Sequence, residues 1–233
     1  MDYDFGLLDK AIFVKRDNRF RAEIELNGIS FKAYVPNSGR MAELLTPGAK
    51  VLLRKAQNPL RKTPYDLLLV EKDGLLICLN SHLANDLFAI WLKKDKLTPF
   101  TNSTSFYREK TIGKSRIDFL MEYQHYNYLV EVKSVNLVEN GLAKFPDAPT
   151  ERGTKHLEEL STFKSKGQKS AVVFIIMRED AESFTTHDMM DPLFANTLRK
   201  ALSLGVEAYA YKCSVTKEGI NFAGEVPIAL SDG

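Results

Sequence analysis

Asp118, followed thirteen positions later by Glu131-Val132-Lys133, brings two carboxylates and an amine into one short stretch of chain. Carried on adjoining strands, two acids can hold a divalent cation while a lysine faces phosphate, which is the chemistry of a metal-dependent phosphodiesterase. The expected substrate is DNA.

Both stretches read as strands. Arg116 to Tyr123 and Tyr128 to Val135 are rich in β-branched and aromatic residues with some alternation. A period of two puts Glu131 and Lys133 on one face, with Val130 and Val132 on the other. In the first strand it groups Asp118 with Arg116 and Leu120, and turns Ile117, Phe119 and Met121 the opposite way. Only Gln124, His125, Tyr126 and Asn127 lie near the join, so a hairpin connects the strands.

A hairpin symmetric about the Gln124–His125 bond sets Asp118 opposite Glu131 and Arg116 opposite Lys133. Facing acids are destabilising without a cation. Mg²⁺ suits such a pair, with Mn²⁺ as a substitute, because it takes oxygen ligands and is commonly held by one or two carboxylates together with waters and substrate phosphate. An acid, a hydrophobe and a lysine in alternation are also common on a solvated strand face, so Glu-Val-Lys alone carries little weight. Weight comes from the apolar back of that strand, the acid on the preceding one and the helical pattern that follows.

The chain has 233 residues, 44% of them hydrophobic, enough for one large core or two smaller ones. No stretch is long and apolar enough to span a bilayer, and Met1 to Leu8 lacks a leader pattern, so the expected location is the cytoplasm, away from membranes. Cys78 and Cys213 have neither CxxC spacing nor nearby histidines and read as small packed hydrophobes. A net charge of +2 argues nothing about partners by itself. Its distribution is more telling: Arg54, Lys55, Arg61 and Lys62 form one basic segment, and Lys93, Lys94, Lys96, Arg108, Lys110, Lys114 and Arg116 another. Such cations release counterions from phosphates on binding a duplex.

Up to about Asn80 the chain is a series of short strands: Ala11 to Val14, Phe20 to Leu26, Ile29 to Val35, Lys50 to Arg54, Leu67 to Glu71 and Leu75 to Leu79. Asn27-Gly28 marks a hairpin turn, and a helical interlude is expected over Gly39 to Leu45 before Pro47-Gly48. This pattern predicts an OB-like β-barrel over residues 1–80. Residues 81–233 change character. They read as a helix from His82 to Lys94, a strand over Thr104 to Lys110, the two strands already described, and a connection from Asn140 to Pro149. A helix N-capped by Thr150 then runs to Lys166, Ala171 to Met177 forms a strand buried on both faces, a helix runs from Pro192 to Leu204, and Ala208 to Val215 is the last strand.

An acid on the second strand and Glu-x-Lys on the third, between flanking helices, resembles the PD-(D/E)XK nuclease core. Four stretches are more particular: Val35-Pro36-Asn37-Ser38-Gly39-Arg40-Met41, Arg116-Ile117-Asp118-Phe119-Leu120, Glu131-Val132-Lys133, and Phe145 through Leu157. They resemble signatures of the sugar fermentation stimulation protein A (SfsA) family over essentially the whole chain. The resemblance implies an α/β (α+β) architecture of OB-like domain plus nuclease-like domain, non-specific DNA binding, and a regulatory link to maltose or sugar metabolism. It also implies that Asp118, Glu131 and Lys133 match the acid, acid and lysine of the nuclease superfamily. Asp118 follows Ile117 where that pattern has proline, and the literal Pro146-Asp147 falls after Glu-x-Lys, so it is not the first motif.

On this reading Asp118 and Glu131 hold Mg²⁺ and Lys133 orients the attacking water beside the phosphate. Arg152, Lys155 and His156, in the first turns of the following helix, are candidate DNA contacts along with Arg116 and, more weakly, Arg40. A rival reading keeps the framework as a DNA-binding regulator that does not cut. A sugar-converting enzyme has only the family's name behind it. Other motifs fail: Gly113-Lys114-Ser115 lacks the leading glycine of a phosphate loop, His156-Leu157-Glu158-Glu159 lacks the second zincin histidine, and His82, His125 and His187 are scattered. The sequence leaves a homodimer open.

Overall fold

A computed structural model describes residues 1–230 apart from Pro59 and Lys114. The first strand, β1 (Tyr3–Asp4), is followed by β2 (Asp9–Asn18), β3 (Arg21–Leu26), β4 (Ile29–Tyr34), β5 (Lys50–Lys55), β6 (Tyr65–Lys72) and β7 (Leu75–Cys78). The last six form one sheet in the order β4-β3-β2-β5-β6-β7, and an additional β4–β6 pairing closes five of them into the expected barrel. Turn chemistry sets the hairpins: Asn27 and Gly28 both have positive φ (52° and 78°), as a primed two-residue turn requires. Alternate residues such as Phe13, Ile24, Leu53 and Leu67 fill the barrel interior.

The helix expected over Gly39 to Leu45 is a single turn. The N–H groups of Leu44 and Leu45 both reach the Met41 carbonyl. Met41 itself sits at φ +48°, a left-handed conformation that breaks a helix on its N-terminal side.

The remaining elements are α1 (Leu83–Lys93), β8 (Ser105–Ile112), β9 (Ser115–Glu122), β10 (Asn127–Val135), β11 (Val138–Glu139), β12 (Leu142–Phe145), α2 (Glu151–Ser165), β13 (Lys169–Ile176), β14 (Ser183–Thr186), α3 (Pro192–Ser203), β15 (Glu207–Val215) and β16 (Gly219–Glu225). A seven-stranded mixed sheet runs β1-β16-β15-β13-β10-β9-β8. Parallel pairing of β10 with β13 and of β13 with β15 puts the Glu-x-Lys strand in its middle. The apolar run of β13 is buried on both sides, as expected: Ala171, Val173 and Ile175 pack towards α1, and Val172, Phe174 and Ile176 towards α2 and α3.

Capping sets the two later helices. Thr150 accepts the Gly153 N–H at 3.0 Å, Asp191 accepts the Phe194 N–H at 2.9 Å, and Gly167 and Gly205 take positive φ just beyond the C-terminal ends.

Long-range pairing adds what local pattern does not carry. The connection Asn140 to Pro149 contains β12, which joins β11 and β14 in a separate three-stranded sheet. β16 follows the strand read as the last, and β1 pairs with β16 on the large sheet although the sequence reading puts residues 1–80 in the barrel. The two parts also share a core, since Leu68, Leu69 and Cys78 of the barrel pack with Trp91, Val130 and Tyr211, and the Cys78 N–H bonds the Met177 carbonyl at 3.1 Å. Both cysteines are buried and free. Among the described residues, no helix is long and apolar enough to cross a membrane.

Candidate active site

The hairpin register is the symmetric one. Asn127 faces Glu122, Tyr128 faces Met121, Leu129 faces Leu120 and Val130 faces Phe119. Continued by one step, that register sets Glu131 against Asp118, but the paired ladder ends first. There the Asp118 side chain enters the sheet: its Oδ2 accepts the Val132 N–H at 2.9 Å, and its Oδ1 accepts from Asn85 Nδ2 of α1 at 3.1 Å. On the other side of β9, Arg108 pairs with Phe119 and Lys110 with Ile117, while Glu109 between them adopts φ +53°. This break costs the strand one step of alternation. Ile117 therefore packs with Leu120 on the α2 side, not with Phe119 and Met121 as a continuous period of two predicts. The predicted facing of Arg116 and Lys133 is lost for the same reason: Arg116 pairs with Thr111, is exposed, and bonds Glu109 at 2.6 Å.

On β10 the predicted alternation holds. Tyr128, Val130 and Val132 turn to the α1 core and Leu129 to the α2 core, so Glu131 and Lys133 emerge beneath α2. Lys133 Nζ lies 2.6 Å from Glu131 Oε1 and 3.0 Å from His156 Nδ1, and His156 Nδ1 also contacts Glu131 Oε1. Glu131 is 2% exposed, and its second oxygen, Oε2, is buried with no hydrogen-bond partner. Burial alone would raise its pKa, but Lys133 and His156 outweigh that and hold it at about 2. Asp118 shifts the opposite way: burial, then the negative charge of Glu131, raise its carboxyl despite the Val132 N–H, Lys133 and Asn85.

These groups line a cavity of about 470 Å³ with walls from both parts of the chain. Arg19, Asn37, Ser38 and Gly39 come from the barrel, His82 and Asn85 from the start of α1, and Asp147, Thr150, Arg152 and His156 from the approach to α2 and its first turns. Arg16 holds the barrel wall in place: its guanidinium donates to the carbonyls of Gly39 at 2.6 Å, Arg40 at 2.7 Å and Asn37 at 2.9 Å. Asn37 locks the two parts, donating to the Leu79 carbonyl at 3.0 Å and to Asn136 Oδ1 at 3.1 Å, while its own Oδ1 takes the Gly39 N–H at 2.8 Å. Asp147 crosses the same gap to accept the Met41 N–H at 3.2 Å, and burial raises its carboxyl. Asn85 and the Arg16 brace are absent from the sequence reading, which names Asp147 only to set Pro146-Asp147 aside as the first motif. Asn-x-Gly and Pro-Asp are local turn signals, but nothing local says that they meet.

Of the expected DNA contacts, Arg152 and His156 line the cavity, with Arg152 Nε 3.3 Å from His156 Nε2. Arg40 lines an adjoining hollow that shares Arg19, Ser38 and Gly39 with it. Lys155 and Arg116 do not reach either. Lys155, one position along α2 from His156, is turned to solvent beside Glu159 at 3.9 Å. The basic segments are also less free than their sequence suggests, since Lys94 and Lys96 bond Asp2, Arg108 bonds Asp86, and Arg54 and Arg61 share Asp66. Lys114 lies outside the described residues, as does the middle of the Gly113-Lys114-Ser115 turn.

Among the described residues no group of three or more His, Cys, Asp or Glu side chains forms a ready metal cage. Two carboxylates with one orphaned buried oxygen and a raised partner nevertheless fit a hard cation, which completes its shell with water and phosphate oxygens.

Comparison with known proteins agrees with this architecture. Residues 82–219 match the family described as "Sugar fermentation stimulation protein RE domain", a restriction endonuclease-like domain, and residues 14–79 match the "SfsA N-terminal OB domain". A sugar fermentation stimulation protein homolog of Clostridium perfringens (strain 13 / Type A) is 42% identical over 226 residues, covering 97% of this chain and 98% of the relative. The homolog from Moorella thermoacetica is 44% identical over 225 residues, covering 96% and 97%. Among solved structures, Pyrococcus furiosus SfsA in complex with Ca²⁺ superposes with a TM-score of 0.90 at 29% identity, covering 97% of both chains. With two family models and full-length relatives in agreement, this chain belongs to the sugar fermentation stimulation protein (SfsA) family.

Proposed function

We propose that this protein is a divalent-metal-dependent phosphodiesterase that cuts DNA without sequence specificity. The observation that carries the reading is the orphaned, buried Oε2 of Glu131, a carboxylate that shares the cavity with Asp118 and whose other oxygen contacts Lys133. A buried carboxylate oxygen without a donor is costly, and a cation shared with Asp118 would satisfy it. The Ca²⁺ bound by the Pyrococcus furiosus relative supports an oxygen-ligated site, and Mg²⁺ or Mn²⁺ is the proposed working ion. When bound, such an ion polarises a phosphate and acidifies water.

The chain's own groups supply the rest. Lys133 offsets charge that builds on the phosphate oxygens and holds Glu131 in place. His156 pins the same carboxylate oxygen, and Arg152 and Arg19 are the cavity cations available to flanking phosphates. A second reading, a DNA-binding regulator of sugar metabolism that does not cut, draws on the contact of Lys133 and His156 with Glu131 Oε1, in which the lysine ammonium offsets the charge of that oxygen without a metal ion.

Purified protein incubated with defined single- and double-stranded DNA in Mg²⁺ or Mn²⁺ decides between them. Cleavage that disappears in Lys133→Ala supports the enzyme. Salt-sensitive binding that survives EDTA, with no cutting under any of these conditions, supports the regulator.

A further inference from the structure

The barrel carries an aromatic surface directly beside the cavity. Phe20, in the turn between β2 and β3, is 47% exposed, and its ring stacks on Tyr34 at the end of β4 with centroids 6.5 Å apart and planes 26° from parallel. The Arg61 guanidinium lies 5.5 Å from the Tyr34 ring centre and is held by Asp66 at 2.8 Å and Thr63 at 3.0 Å. Both chain segments run from this surface straight into the cavity wall. Phe20 follows Arg19, and Tyr34 stands three residues before Asn37. Turn geometry fixes the Phe20 backbone, whose N–H reaches Asn18 Oδ1 at 2.9 Å and whose carbonyl takes the Val35 N–H at 2.9 Å.

An exposed phenylalanine on a fixed turn costs apolar hydration and does nothing for the barrel core, which lies on the other side of the strands. Its surroundings are cationic. Arg19 and Arg40 form no ion pair among the described residues, and Arg61 caps the aromatic pair. An open π-face flanked by arginines recognises an unpaired base followed by its phosphate. A duplex offers no such face, because its bases are stacked on one another.

We propose that the protein takes single-stranded polynucleotide, with an unpaired base stacked on the exposed ring of Phe20, which Tyr34 backs, while the adjoining backbone passes Arg19 into the carboxylate cavity. This rests on the phosphodiesterase reading for what happens in the cavity, but base stacking on the barrel stands or falls separately.

The test uses the full-length protein in Ca²⁺ and fluorescence anisotropy with a labelled oligothymidylate, compared with a duplex of the same length. Wild type is expected to bind the single strand more tightly. Phe20→Ala should weaken single-strand binding by roughly 5- to 100-fold, the loss of one base stack, and leave duplex binding unchanged. Phe20→Trp should retain it and report it by quenching of the new indole. Because Phe20 is exposed, unfolding by urea should match wild type, which separates a binding defect from a folding one. Equal single-strand affinity in wild type and Phe20→Ala overturns the proposal, even if DNA is cut. Phe20-dependent binding by a protein that cuts nothing upholds it and removes only the phosphodiesterase.

Discussion

The Asp118 carboxylate accepts the Val132 backbone N–H at 2.9 Å, so the first acid of the site substitutes for a strand in the sheet's hydrogen bonding. Removing it exposes that donor as well as removing a cation ligand. Asp118→Ala is expected to cost about 1–3 kcal/mol in urea unfolding, the range for a buried donor left unpaired. Asp118→Asn keeps an oxygen for Val132 and should stay within about 1 kcal/mol of wild type while losing activity. Equal stability of the alanine and asparagine variants would show that the bond carries no weight.

Glu131 leads to a thermal prediction. A ligand that binds only the folded protein stabilises it by RT ln(1 + [L]/Kd), about 2.7 kcal/mol at one hundred times Kd. Mg²⁺, Mn²⁺ or Ca²⁺ should therefore raise the unfolding temperature by several degrees, and Glu131→Gln, which retains shape but not charge, should abolish the rise. A shift of equal size in that variant would place the ion elsewhere.

Much of this site was legible because hairpins and alternation are local. The symmetric register across Gln124 and His125, the pairing of Glu131 with Lys133 on one face, and the Thr150 cap that sets His156 above them all follow from nearby residues. The strand break was not legible, since it depends on Glu109 of a neighbouring strand taking a left-handed conformation. Nor were the partners of Asp147 and Asn37, which are separated by about half the chain from the groups they bond, Met41 and Asn136 respectively. The β1–β16 pairing joins the two ends of the fold, and no periodicity encodes it.

His156 is expected to act through Glu131. Partners that orient metal-binding side chains typically contribute 10- to 100-fold to metal affinity or activity. His156→Ala should raise the Mg²⁺ concentration needed for half-maximal cleavage by about that factor. Arg152→Ala should change it far less, because among the described residues the Arg152 side chain bonds only His156 Nε2, at 3.3 Å. Titrating Mg²⁺ against cleavage rate in the two variants separates these roles; similar curves would remove His156 from the positioning of Glu131.

Gly39 has no room for a side chain, since a Cβ there would collide with the Asp147 carboxylate. Gly39→Ala is expected to destabilise by about 1–3 kcal/mol through overpacking. Asp147→Ala removes the obstacle along with the acceptor of Met41, so the double variant should lose less than the two single changes added together. Additive losses in a double-mutant cycle would mean that the two residues do not meet.

Asp2 fastens the start of the chain to α1 and β16. It accepts from Trp91 Nε1 at 3.0 Å, from the Phe222 N–H at 2.9 Å and from the Lys94 and Lys96 amines at 2.8 Å. Burial would raise its carboxyl, but the Lys94 and Lys96 amines and the Phe222 N–H outweigh that and hold it well below the ordinary 3.8. A depressed folded-state pKa stabilises above the unfolded value and is lost as pH falls through the folded one. Wild type should therefore exceed Asp2→Asn in urea unfolding by about 1.5–3 kcal/mol near neutral pH, the scale of a hydrogen bond to a charged group. The difference should shrink as pH falls from about 4 towards about 2, where the carboxylate begins to protonate in the folded protein too. A gap that stays constant across that interval would show that geometry, not the charge of Asp2, makes the contribution.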